Sequence, residues 1–143
     1  MAITSAICTS FKVEILKGIH NFTASSGDTF KLALYTSSAS LGAGTTAYTT
    51  SNEVSGSGYT AKGNALTSVT PVADSTTAVC DFADTSFTSA SFTARGCLIF
   101  NEDATSDPAV CAIDFGGDKT VSSGTFTIQF PAAAASTAIV RIA

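Results

Sequence analysis

The chain has no tryptophan, one methionine, one histidine and three prolines, and only 13% of its 143 residues are charged. Each shortage narrows what the protein does. A serine hydrolase would have to use His20 as its base, and no GxSxG elbow accompanies the many hydroxyls. His20 follows a helical pattern with no carboxylate or nucleophile at motif spacing, so it reads as helix-end polarity. The seven Lys and Arg residues are scattered without a run or patch, which excludes the electrostatic footprint of a nucleic-acid binder. No apolar stretch approaches the roughly 18 residues that span a bilayer, the longest candidate being the alanines after Pro131. The amino-terminal stretch lacks a basic region ahead of its apolar residues and continues amphipathically, so it is not expected to act as a secretory signal, and synthesis in the cytoplasm is expected.

Close cysteine pairs are also missing. Cys8, Cys80, Cys97 and Cys111 show none of the spacings that zinc sites or redox motifs use. Cys80, Cys97 and Cys111 sit in the apolar runs AVCDF, RGCLIF and AVCAIDF, which suits reduced, buried cysteines acting as small hydrophobes. If residues 96–101 pair with 109–115 around a turn centred near Ala104, Cys97 and Cys111 fall opposite each other. A cross-strand disulfide is then conceivable in a released particle, although cytoplasmic assembly argues against one as a folding requirement.

What is abundant is hydroxyl: serine and threonine supply 41 residues, and the formal net charge is −4. A surface with so few charges suits a subunit of an assembly better than a crowded life as a monomer. The length fits one domain over residues 1–143, enough to bury a core unaided. Over residues 4–19, Ile7, Phe11, Ile15 and Ile19 recur at four-residue steps, widened by Cys8 and Leu16, with Lys12, Glu14 and Lys17 elsewhere. This predicts one amphipathic helix capped by Thr4 or Ser5 and ended at Gly18, lying across a sheet. Docking of its apolar stripe on a partner subunit is the alternative.

Beyond the turn at residues 25–28 the period changes to two. Phe30, Leu32 and Leu34 alternate with Lys31, Ala33 and Tyr35, which predicts a half-buried strand. Further strands are expected at 65–71, 76–82, 91–94, 96–101, 109–115, 125–130 and 138–142, separated by turn clusters such as NEDATSDP and FGGDKTVSSG. In 125–130, Phe126, Ile128 and Phe130 share a core face. The fold class is mainly β: an antiparallel β-sandwich or flattened barrel with one amino-terminal amphipathic helix.

Residues 37–62 form a long Thr/Ser/Gly loop, a length that is usually functional or conceals short strands. Gly56, Gly58 and Gly63 permit positive φ and close backbone approach, so the loop can lie flat against another surface with Tyr48 and Tyr59 as amphipathic anchors. With Asn52, Glu53 and Lys62 these tyrosines make up the candidate protein interface. Fixing of the loop by hydrogen bonds from Asn52 and Glu53 to backbone amides is the structural role open to those two. SGSGYTAKG does not complete a phosphate loop. The carboxylates Asp81 and Asp84, or Glu102, Asp103 and Asp107, are compatible with acid–base or calcium chemistry, but NEDATSD lacks the EF-hand glycine and terminal glutamate. No catalytic residue, cofactor or metal is expected. The sequon at Asn21 is a weak pattern without a secretory route.

The block KLALYTSSASLGAGTTAYTTSNEVSGSGYTAKG, with ARGCLIFNED, FGGDKTVSSGTFTIQFP and AIVRIA, resembles a family of small virion structural proteins of tailed bacteriophages, from the first helix to the last strand. The resemblance implies a non-enzymatic virion component assembled in the host cytoplasm. Within the virion, a capsid decoration or cement protein on the outer face of the major capsid protein shell is expected, as a homo-oligomer such as a trimer, with no direct contact to nucleic acid or membrane. The rivals are a tail or neck adaptor or fibre-associated protein, and a small carbohydrate-binding adhesion module, which the absence of tryptophan disfavours.

Overall fold

The computed structural model describes residues 2–143 and is mainly β, with two antiparallel sheets and one short helix in a sandwich-like arrangement. In chain order the elements are β1 (Ala6–Ile7), α1 (Thr9–Leu16), β2 (Phe30–Tyr35), β3 (Asn64–Ala65), β4 (Ser68–Asp74), β5 (Thr77–Phe82), β6 (Thr85–Asn101), β7 (Ala109–Ile128) and β8 (Val140–Ile142). One sheet runs β1-β7-β6-β2-β3 and the other β4-β5-β8. No helix of the described residues is long and apolar enough to cross a membrane.

The helix is shorter than its apolar period. Residues before Cys8 are drawn into the sheet: Ile3 bridges Leu41, and Ala6 and Ile7 pair with Ala112 and Cys111 of β7. Pairing along β7 gives the backbone of residues 6–8 its partners there, with the Cys8 N–H donating to the Val110 carbonyl at 3.0 Å. Neither Thr4 nor Ser5 caps the helix. Cys8 holds the N-cap position with no side-chain cap bond, and the Ser5 hydroxyl instead accepts the Asp114 N–H at 2.8 Å. The expected end holds, since Gly18 at φ 73° follows the last turn and the Ile19 N–H donates back to the Glu14 carbonyl. Phe11 is buried, Ile7 and Ile15 are half-buried, and Leu16 is 88% exposed, outside the packed face.

β2 is buried on both faces except at Lys31: it pairs with β6 and β3, Phe30 packs on Phe82 of β5, and Leu34 and Tyr35 are bonded to residues 49, 54 and 59. The paired segments expected at 91–94 and 96–101 are one strand, β6, and those at 109–115 and 125–130 belong to another, β7. The ladder passes through glycines and aspartates by bulging: between the pairs Gly96↔Asp114 and Ala94↔Lys119, β7 advances five residues while β6 advances two. A further irregularity at Ile99/Phe100 displaces the register at the turn. Cys97 therefore faces Ile113, and Cys111 faces Ile99, rather than each other. The displacement is two residues, so both thiols keep the core face. All four cysteines are free and buried.

The core is built from phenylalanine. Phe22 stacks on Phe30 at 4.2 Å, and both lie against Phe82. A second group joins Phe87, Phe92 and Phe126 with Tyr59. Phe126, Ile128 and Phe130 do share a face, but they are half-buried: they form the wall of a groove rather than the centre of the core.

His20 is not an exposed helix-end residue. Its side chain is fully buried, packed against Phe11 at 4.9 Å, with Nε2 3.1 Å from Glu14 Oε1 and Nδ1 3.2 Å from Asn101 Nδ2. Asn101, also fully buried, donates to Asp28 Oδ2 and accepts the N–H groups of Asp103 and Ala104 on Oδ1. This knot ties the end of α1 to the turn between β6 and β7.

Candidate functional site

The segment 37–62 is a strap stitched onto the large sheet. Its backbone forms isolated bridges Tyr35↔Glu53, Ala47↔Pro108 and Ser57↔Ser91, and the Val54 N–H donates to the Leu34 carbonyl at 2.9 Å. The surface that its glycines approach is the protein's own sheet. A Cβ on Gly63 would overlap the Leu32 carbonyl oxygen, and one on Gly58 would fall 2.7 Å from the Ala90 Cα.

Three of the five candidate interface residues converge on the carboxylate of a fourth. Glu53 accepts the Tyr48 hydroxyl at 2.5 Å on Oε2, and the Tyr59 hydroxyl at 2.6 Å and the Lys62 backbone N–H at 2.7 Å on Oε1. The Tyr59 oxygen in turn accepts the Leu34 N–H at 2.9 Å. Glu53 therefore fixes the strap through a backbone amide, as its residue type allows. Asn52 lies apart, exposed at φ 61°, with its side-chain amide donating to the Ser38 carbonyl. Lys62 closes the cluster: its ammonium is 2.8 Å from Asp107 Oδ2, 3.5 Å from Glu102 Oε1 and 5.6 Å from the centre of the Tyr48 ring.

Burial, and then the hydrogen bond to Glu53, hold the Tyr48 and Tyr59 phenols well above their usual range. Burial likewise raises Tyr35, whose hydroxyl donates to the Thr49 carbonyl at 2.7 Å. The hydrogen bond to Asp107 raises the Lys62 ammonium. The tyrosines thus stay protonated as donors, Glu53 accepts from two of them and from the Lys62 amide, and the cluster acts as a fastening. What it presents outward is the half-buried remainder of Tyr48, Tyr59 and Lys62.

The other carboxylates considered in the sequence are separately engaged. Glu102 pairs with Lys31 at 3.2 Å, Asp103 accepts the Thr29 N–H, Asp81 accepts the Phe82 N–H, and Asp84 accepts the Phe130 N–H. No group of three or more metal-ligating side chains occurs among the described residues.

Sequence reasoning did not find the groove. A cavity of about 500 Å³ opens beside β7, walled by Ile113, Phe115, Phe126, Ile128, Phe130 and Ile139. Its walls come from both ends of β7 and from the carboxy-terminal crossing, so no local spacing signals it. The alternation of Phe126, Ile128 and Phe130 was the one available clue, and it reads equally as a core strand. No protein-family model, curated protein or solved structure matches the chain.

Proposed function

We propose that the chain is a structural subunit of a bacteriophage virion, a capsid decoration or cement protein that sits on the outer face of the major capsid protein shell and carries out no catalytic step. The observation that carries the reading of an assembled subunit is apolar surface in a protein with few charges. Leu16 is 88% exposed, Val72 57%, Ile142 55% and Val13 50%, in a chain with 13% charged residues. Val13 and Leu16 share α1, while Val72 and Ile142 lie on the three-stranded sheet, and apolar surface left open on a sparsely charged protein favours being covered in an assembly. A strap fastened by Glu53 supports the same reading, because a preorganised surface loses little entropy on docking. Modest contacts repeated over a shell add up to a stable coat through multivalency.

Protein stoichiometry on purified particles tests this. Copies in the hundreds, comparable with the major capsid protein, support decoration of the shell. A dozen or fewer move the subunit to the tail or neck, and absence from particles overturns the virion role.

A further inference from the structure

The groove beside β7 is preformed. Phe126 packs against Phe92 at 5.2 Å and Phe115 at 6.2 Å, and Phe130 against Phe82 at 5.5 Å, so three of its walls are rings locked by other rings. Its volume, about 500 Å³, lies within the roughly 300–1,000 Å³ of small-molecule clefts. The bulge at residues 115–118 lifts β7 out of its ladder with β6, and Phe115 and the exposed Lys119, within and just after it, both line the groove.

Among the described residues, Lys119 is the only charged one lining the groove, and none of the ion pairs there involves it. Thr127 and Gln129 also line it, although the Thr127 hydroxyl is engaged with Ser86 at 2.9 Å. An apolar floor with one free cation at its mouth is complementary to a molecule with an apolar body and one negative end. An extended polypeptide suits it less. The open edge of β7 beside the groove is interrupted by the bulge and carries Asp118, Lys119, Ser122 and Ser123, features that discourage strand addition.

We infer that this groove binds a small hydrophobic carboxylate, its apolar chain against Phe115, Phe126, Ile128 and Phe130 and its carboxylate at Lys119. The site stands apart from the strap and does not depend on the virion role.

Titration calorimetry of the full chain with decanoate and with 1-decanol tests the assignment. Decanoate should saturate at one per chain. Lys119→Met, an exposed change that leaves the core intact, should weaken decanoate about ten-fold, the worth of one charge-assisted contact, and leave decanol affinity unaltered. Ile139→Trp, confirmed folded by circular dichroism, should abolish both by filling the cavity. Absence of saturable decanoate binding, or equal decanoate affinity in wild type and Lys119→Met, would overturn the inference. So would a wild-type dimer in sedimentation that Ile139→Trp dissociates, since the groove would then belong to a second copy.

Discussion

Glu53 and Asn101 are single side chains on which distant segments depend. Gln at position 53 keeps the shape of glutamate but offers one acceptor oxygen where the carboxylate now receives the Tyr48 and Tyr59 hydroxyls and the Lys62 N–H. Losing charge-assisted bonds to partly buried donors should cost Glu53→Gln about 2–3 kcal/mol. Urea unfolding should show the lower midpoint at unchanged slope, and tyrosinate absorbance should show Tyr48 and Tyr59 ionising at lower pH than in wild type. An unchanged midpoint would mean that the strap is held by its backbone bridges alone. Asn101 has both side-chain atoms committed, to His20 and Asp28 on Nδ2 and to Asp103 and Ala104 on Oδ1. Because Oδ1 receives two N–H donors, the amide NH₂ must face His20 Nδ1, which fixes the ring as the Nε2–H tautomer donating to Glu14. Asn101→Ala should cost about 2–3 kcal/mol by orphaning these groups, read by the same unfolding experiment. Nitrogen chemical shifts of His20 report the tautomer directly.

At the level of elements, two glycines with similar backbone angles should respond differently. Gly18, at φ 73° after α1, has open space within 4 Å of where a methyl group would stand, whereas Gly63, at φ 70° directly after the strap, is pressed against the Leu32 carbonyl. Gly18→Ala therefore loses only the left-handed preference, about 1 kcal/mol. Gly63→Ala must also push the strap off β2, and its melting temperature should fall well below that of Gly18→Ala; equal losses would show that the strap yields freely. The sequence made Gly18 legible as a helix end, and the alternation at 30–35 as a strand, because both signals are local. The lengths of β6 and β7 were not legible. FGGDKTVSSG has the composition of a turn, and only the partner strand carries the ladder through it. The helix start failed for the same reason: nothing in residues 2–8 announces that β7 will offer them hydrogen bonds. Of the candidate site, the grouping of Tyr48, Glu53, Tyr59 and Lys62 was visible as a polar cluster in a long loop. Its inward direction was not, since that depends on Leu34 and Asp107 from other elements.

Over the whole molecule, burial of weak acids sets the pH response. The four cysteines and three tyrosines are all held protonated, chiefly by desolvation: Cys8 is pushed up to about 11, Cys80 and Cys97 to about 12, Cys111 well above its ordinary value, and the tyrosines higher than free phenols. In the unfolded chain thiols ionise near pH 8.5 and phenols near pH 10. Above those values the unfolded state has released protons that the folded state retains, so stability falls as pH rises. The contribution is complete below about pH 8 and lost progressively through the folded values. Asp114 is drawn down by its hydrogen bond with Arg95 at 2.9 Å, but that pair sits at the surface and is screened. The melting temperature should therefore fall above about pH 8 and drop steeply by about pH 10.5. With Tyr59→Phe the alkaline drop should be shallower, because one protonated donor no longer contributes to it. A melting temperature as high at about pH 10.5 as at about pH 7 would mean that these groups ionise without unfolding the chain, and that the core around Cys97 and Cys111 admits water.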